Sequence, residues 1–109
     1  YNDFINLTMI PMKGLNKTLY SYANDAIKDI PFFYQKSIIT HNKKEKKGNK
    51  DCYTLTYAGI MSEFPLAFHQ YIWFENETAY LLTFTAEQKS FEEWDPIARQ
   101  IMDSFSFKK

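Results

Sequence analysis

Leu66-Ala67-Phe68-His69-Gln70-Tyr71-Ile72-Trp73-Phe74-Glu75-Asn76-Glu77-Thr78-Ala79-Tyr80-Leu81-Leu82-Thr83-Phe84-Thr85-Ala86 decides the fold. Two runs rich in aromatic and β-branched residues flank Glu75-Asn76-Glu77, a tight turn whose asparagine tolerates left-handed angles. The first run is apolar on both faces, with Leu66, Phe68, Ile72 and Phe74 against Ala67, Tyr71 and Trp73. The second repeats this with Tyr80, Leu82 and Phe84 against Ala79 and Leu81. A strand that is apolar on both faces must be covered on both faces. The hairpin therefore predicts the centre of a sheet with a layer on each side.

Working outward, residues 52–61 alternate, with Tyr53, Leu55 and Tyr57 on one face and Cys52, Thr54, Thr56 and Ala58 on the other. Residues 32–42 are extended and open on Phe32-Phe33-Tyr34. Between these strands, Lys43-Lys44-Glu45-Lys46-Lys47-Gly48-Asn49-Lys50 reads as a polar hairpin tip. Upstream, Leu15, Leu19, Tyr22, Ala23, Ala26, Ile27 and Ile30 form one stripe of an amphipathic helix, with Asn16 as its N-cap and Pro31 as its stop. Residues 4–10 predict a first strand whose apolar side is Ile5, Leu7 and Met9. Downstream, Ser90-Phe91-Glu92-Glu93 matches a capping box, and Asp95-Pro96 a second helix start. A short helical turn and then a helix over 96–103 are expected, burying Phe91, Trp94, Ile97, Ala98, Ile101, Met102 and Phe105, with a tail over 104–109. The order is β-α-β-β-β-β-α: one α+β domain over 1–109, an antiparallel sheet of five to six strands in an α/β/α sandwich.

With 109 residues, the chain can take about two-thirds of its surface out of water without staples. Thirteen basic residues balance thirteen acidic ones, which argues against a dedicated nucleic-acid binder. One cysteine excludes an intrachain disulfide and a cysteine-based zinc site. No apolar run is long enough to span a membrane, and Tyr1-Asn2-Asp3-Phe4 does not open a signal peptide. His41 and His69 have no His or Cys nearby in sequence to make a metal set, and Cys52 lies in a strand pattern typical of a small buried hydrophobe. Glu92 and Glu93 suit the first turn of a helix, where negative charge favours the dipole. Hydrolase, zincin, Walker and dinucleotide fingerprints are absent from the sequence. No enzymatic activity, metal or cofactor is expected.

The element order and several strings resemble the PsbP-like domain, which shares its sandwich with the Ran-binding nuclear import factor. The resemblance rests on a strand and Leu-rich helix over 5–30, on Gly48-Asn49-Lys50-Asp51-Cys52-Tyr53-Thr54-Leu55-Thr56-Tyr57, on Thr78-Ala79-Tyr80-Leu81-Leu82-Thr83-Phe84-Thr85, and on Ile101-Met102-Asp103-Ser104-Phe105. Such domains usually carry a further N-terminal strand or hairpin, which lies outside this chain or is lacking; its loss would leave a sheet edge bare and inclined to pair with another chain. The resemblance implies a non-enzymatic accessory or protein-interaction domain, secreted or lipid-anchored outside the cytoplasm, with an unidentified protein partner. It also leaves room for a lipid anchor upstream and for a monomer or a weak dimer through a sheet edge.

Twenty aromatic residues exceed what so small a core can hide, so some must face outward or line a groove. The candidate partner or ligand surface is Phe32, Phe33 and Tyr34, with the tip lysines Lys43, Lys44, Lys46 and Lys47. The competing reading is a small apolar ligand held between sheet and helix, lined by Tyr53, Tyr57, Tyr71 and Trp73. A cavity above about 300 Å³ would support it and a dry interface would oppose it.

Overall fold

β4 (Phe64–Glu75) is the middle strand of a five-stranded antiparallel sheet in the computed structural model, which describes residues 3–107. Tyr1, Asn2, Lys108 and Lys109, read above as the ends of the chain, lie outside the described residues. The other elements are β1 (Phe4–Pro11), α1 (Leu19–Phe33), β2 (Gln35–Lys47), β3 (Lys50–Met61), β5 (Thr78–Glu87) and α2 (Gln88–Asp103). In space the strands run β1-β5-β4-β3-β2, so β1 and β2 are the edges.

The predicted faces of the central strands hold. On one face Tyr53, Leu55, Tyr57, Leu66, Phe68 and Ile72 pack with Ala23 and Ile30 of α1. On the other, Cys52, Tyr71, Trp73, Leu82 and Phe84 pack with Ala98 and Met102 of α2. The two helices therefore cover opposite sides of one sheet, as the doubly apolar hairpin requires.

Several local expectations are corrected. The N-cap of α1 is Thr18, not Asn16: the Thr18 hydroxyl accepts from Ser21 N at 3.0 Å, and Ser21 Oγ accepts from Thr18 N at 2.9 Å. Asn16 instead takes a left-handed turn with φ +50°. Pro31 does not stop the helix. It lies in the last turn, where it removes one ladder bond, and Tyr34 N still closes the helix on Ile30 O at 3.0 Å. Phe32 and Phe33 are therefore helical, and β2 begins only at Gln35.

The polar hairpin tip is also corrected. Lys43, Lys44, Lys46 and Lys47 are strand residues of β2, and the turn is just Gly48-Asn49, with φ +61° and +64°. Two positive φ values make the tight turn that suits a right-twisted hairpin. α2 is one continuous helix, not a turn followed by a helix. Asp95 does not cap; its carboxylate takes Arg99 one turn on, at 3.2 Å. The side read as buried is narrower than its stripe: Ala98 and Met102 are buried, but Trp94, Ile97 and Ile101 are about half exposed. Similarly, Leu7 and Met9 of β1 are exposed, because α2 lies over β4 and β5 and does not reach the edge.

Gly59 lets α1 end where it does. A Cβ at this β3 position would stand 2.5 Å from Tyr34 Cβ. We expect Gly59→Ala to cost roughly 1–3 kcal/mol through overpacking, read as a lower urea midpoint at unchanged slope.

Candidate functional site

Five strands at about 4.8 Å spacing make a sheet about 24 Å wide, whereas a helix is about 10 Å across. One helix per face must leave a gutter. α1 lies over β2, β3 and β4, so its gutter opens toward β5 and β1. α2 lies over β4 and β5, so its gutter on the β2 side opens the other way.

The α1 gutter is an open groove of about 630 Å³. Tyr22, Ala26, Ile30 and Phe33 wall it along α1, and Ile10 and Met12 wall it at the sheet edge. Leu55, Tyr57, Gln70 and Leu81 line it from the sheet. Tyr34 closes one end, with its ring 4.9 Å from Phe68 and 6.0 Å from Tyr57. Burial holds the Tyr57 hydroxyl neutral by pushing its pKa well up. Gln70 puts an amide in the floor, where it is buried and donates from Nε2 to Thr83 Oγ1 at 2.8 Å. Charges stand at the rim, where Lys17 pairs with Asp25 and draws its carboxyl below the usual range.

Of the residues singled out from sequence, Phe33, Tyr34 and Tyr57 meet at this groove. Phe32 is 85% exposed beside them at the end of α1. Tyr53 shares the face but not the groove; it packs edge-on to Tyr20 at 6.4 Å and donates to Asn42 Oδ1 at 3.4 Å. Tyr71 and Trp73, expected in the same lining, lie on the opposite face of β4 within the α2 core. They cannot share a pocket with Tyr57, because their odd positions on β4 point away from α1.

The lysines do not form one patch either. Lys44 and Lys46 point to the α1 face and pair with Asp51 at 3.5 and 2.7 Å. Lys47 points to the α2 face and pairs with Asp103 at 3.2 Å, and Lys50 with Glu75 at 2.5 Å. Lys43 shares the α2 face by register with Thr54.

The α2 gutter is a smaller polar cleft of about 170 Å³, lined by His41, Glu45, Lys47, His69, Tyr71, Arg99 and Asp103. Thr54 Oγ1 donates to Glu45 Oε2 at 2.6 Å, which lowers the Glu45 pKa, and meets His41 Nε2 at 2.8 Å. With its proton directed to Glu45, the Thr54 oxygen accepts from the Nε2–H tautomer of His41. Tyr71 OH donates to Asp103 Oδ1 at 2.5 Å. Burial alone would raise Asp103, but the donors Tyr71 and Lys47 outweigh it and leave the carboxyl below its usual range. His69 Nδ1 meets Thr56 Oγ1 at 2.9 Å. Cys52 stands opposite Trp73, four residues along β4 from His69, and burial pushes its thiol up to about 12. Cys52 and His69 therefore do not meet as a nucleophile and base. Among the described residues, no three His, Cys, Asp or Glu side chains converge as a metal site.

Sequence reading missed Gln70, Ile10 and Met12 in the groove, and Glu45, Arg99 and Asp103 in the cleft. Gln70 carried a signal: it breaks an apolar face in the central strand, opposite Thr83 in register.

The fold has clear counterparts among solved structures. PA94 of Pseudomonas aeruginosa, a protein of unknown function described as a candidate regulator, superposes with a TM-score of 0.81 at 10% identity, over 100% of this chain and 86% of that one. Cyanobacterial PsbP (CyanoP) of Synechocystis sp. PCC 6803 superposes with a TM-score of 0.66 at 13% identity, over 98% of this chain and 67% of that one. At such identities the likeness shows the fold, which is PsbP-like. No family model matches the chain, and no curated protein matches it in sequence.

His69 gives a test of the cleft's burial. Desolvation, helped by the Arg99 charge, lowers its pKa from 6.5 to about 4. The unfolded chain therefore binds a proton near pH 6.5 that the folded chain refuses until about pH 4. This contribution to stability is whole above pH 6.5 and is lost as pH falls toward 4. Urea titrations of wild type and His69→Gln should differ in their loss between these limits by roughly 2–4 kcal/mol, with the variant losing less.

Proposed function

We propose that this PsbP-like chain is a non-enzymatic accessory domain that acts by binding, and that the α1 groove is where it binds a small apolar ligand. The groove's volume of about 630 Å³ carries the reading, since it lies within the roughly 300–1,000 Å³ typical of small-molecule sites. Its chemistry supports it too: an apolar lining, one amide in the floor and charges kept to the rim.

A protein partner is the second reading, favoured by Phe32 and Phe33, which stand 85% and 67% exposed at the groove's end. An apolar side chain of a partner would then take the ligand's place. Residence outside the cytoplasm, by secretion or a lipid anchor, belongs to the same proposal. It is supported by the resemblance to bacterial domains of that kind, and a single buried cysteine is compatible with oxidising surroundings.

Native mass spectrometry of the chain purified from its source, with titration of anilinonaphthalene sulfonate, tests the reading. A co-purified small molecule, with dye binding at least tenfold weaker in Ala26→Trp, is the expected result. A protein captured from source through the groove, and lost in the same variant, moves the conclusion to the second reading. If no ligand, dye or partner depends on Ala26, both fall.

A further inference from the structure

The two edges of the sheet are defended unequally. β2 carries Lys36, Lys43, Lys44, Lys46 and Lys47, and its pairing with β3 is irregular between Gln35 and Ile38 and again between Ile39 and His41. Charges and bulges of this kind keep an edge from pairing with another chain. β1, Phe-Ile-Asn-Leu-Thr-Met-Ile-Pro, has no charge and no bulge; all eight residues stand in unbroken register with β5. Its one proline is at the end, and from Ile5 to Ile10 no described strand pairs with its outer side.

We propose that β1 is a self-association edge whose partner is a second copy of this chain, paired antiparallel about a two-fold axis at Leu7. An antiparallel pair of identical edges has its axis normal to the sheet, so each side chain stays on its own face and the axis must pass through a residue. Centring it on Leu7 sets Leu7 opposite the partner's Leu7 and Ile5 opposite the partner's Met9. On the other face Asn6 stands opposite the partner's Thr8, a hydrogen-bonding pair, and Phe4 opposite the partner's Ile10. Every opposition is chemically matched, and none sets like charges together, whereas β2 paired with itself would set lysine against lysine.

The half-exposed row Trp94, Ile97 and Ile101 of α2 looks onto Ile5 across a shallow groove. In the pair, two such rows wall one trough above the joined strands. At roughly 180 Å² for a fully exposed large side chain, Leu7 and Met9 offer about 180 Å² of apolar surface per copy at the seam, while the α2 rows stand back as walls of the trough. With the backbone of seven paired residues this stays below the roughly 600 Å² per partner at the lower limit of stable interfaces. The dimer is thus concentration-dependent, and its trough is separate from the α1 groove.

Sedimentation equilibrium of the full chain up to about 100 μM, a range that captures micromolar association, should show a dimer. Leu7→Lys places two cations face to face and should weaken it on the order of a hundredfold, with the thermal melt kept because Leu7 is an edge side chain. Leu7→Cys should yield a disulfide-linked dimer on mild oxidation, since Cα separations across paired strands suit a disulfide and the native Cys52 is buried. This variant decides the matter should the lysine variant fail to fold. A monomer throughout the range overturns the proposal, whether β1 is bare or covered by another stretch of chain. So does a dimer that Leu7→Lys leaves intact, or one that Leu7→Cys does not cross-link.

Discussion

A sheet of five strands is wider than one helix can cover, and the arrangement of this protein follows from that mismatch. The strands need cover on both faces because β4 and its neighbours are apolar on both. The chain supplies one helix per face among its described residues, and each covers about half of the sheet's width. The offset between α1 over β2–β4 and α2 over β4–β5 puts the uncovered strips on opposite sides of the molecule. Among the described residues, β4 is the strand that packs closely against both helices, and it holds the longest buried run.

The strips differ because the strands beneath them differ. Under the α1 groove, Leu55, Tyr57 and Leu81 present an apolar floor. Under the polar cleft, Thr54, Thr56 and His69 present hydroxyls and an imidazole, matched by Glu45 and His41 from β2 and Asp103 from α2. Buried polar groups are tolerable where each has a partner, and these bond largely to one another. The cleft is thus accounted for as a satisfied network, while the groove is apolar surface without cover from its own fold.

Element types and faces are legible because β3 alternates, as in Tyr53, Leu55 and Tyr57, while β4 and β5 betray their double cover by being apolar on both faces. The caps were less so. Asn16 and Thr18 are both good N-caps, and the choice fell to Ser21, whose hydroxyl completes the reciprocal pair with Thr18. The lysine run looked like a loop because composition alone cannot tell a turn from an exposed edge strand; two residues, Gly48 and Asn49, were turn enough. The stripe on α2 promised deeper burial than occurs, since helical period shows which way residues point but not how far the surface beneath them extends. Space between sheet and helix is legible in kind, but of the four expected lining residues only Tyr57 reaches the groove: Tyr53 lies on the same face beyond it, and Tyr71 and Trp73 lie on the far face of β4.

The stitching of the β2–β3 lysines to Asp51, Asp103 and Glu75 has a kinetic consequence. A chain of zero formal charge whose basic run is neutralised at close range projects little long-range field. Encounters with any partner then proceed without electrostatic steering, at ordinary diffusive rates that ionic strength barely alters. Selectivity must come from how long a contact lasts once the apolar surfaces meet.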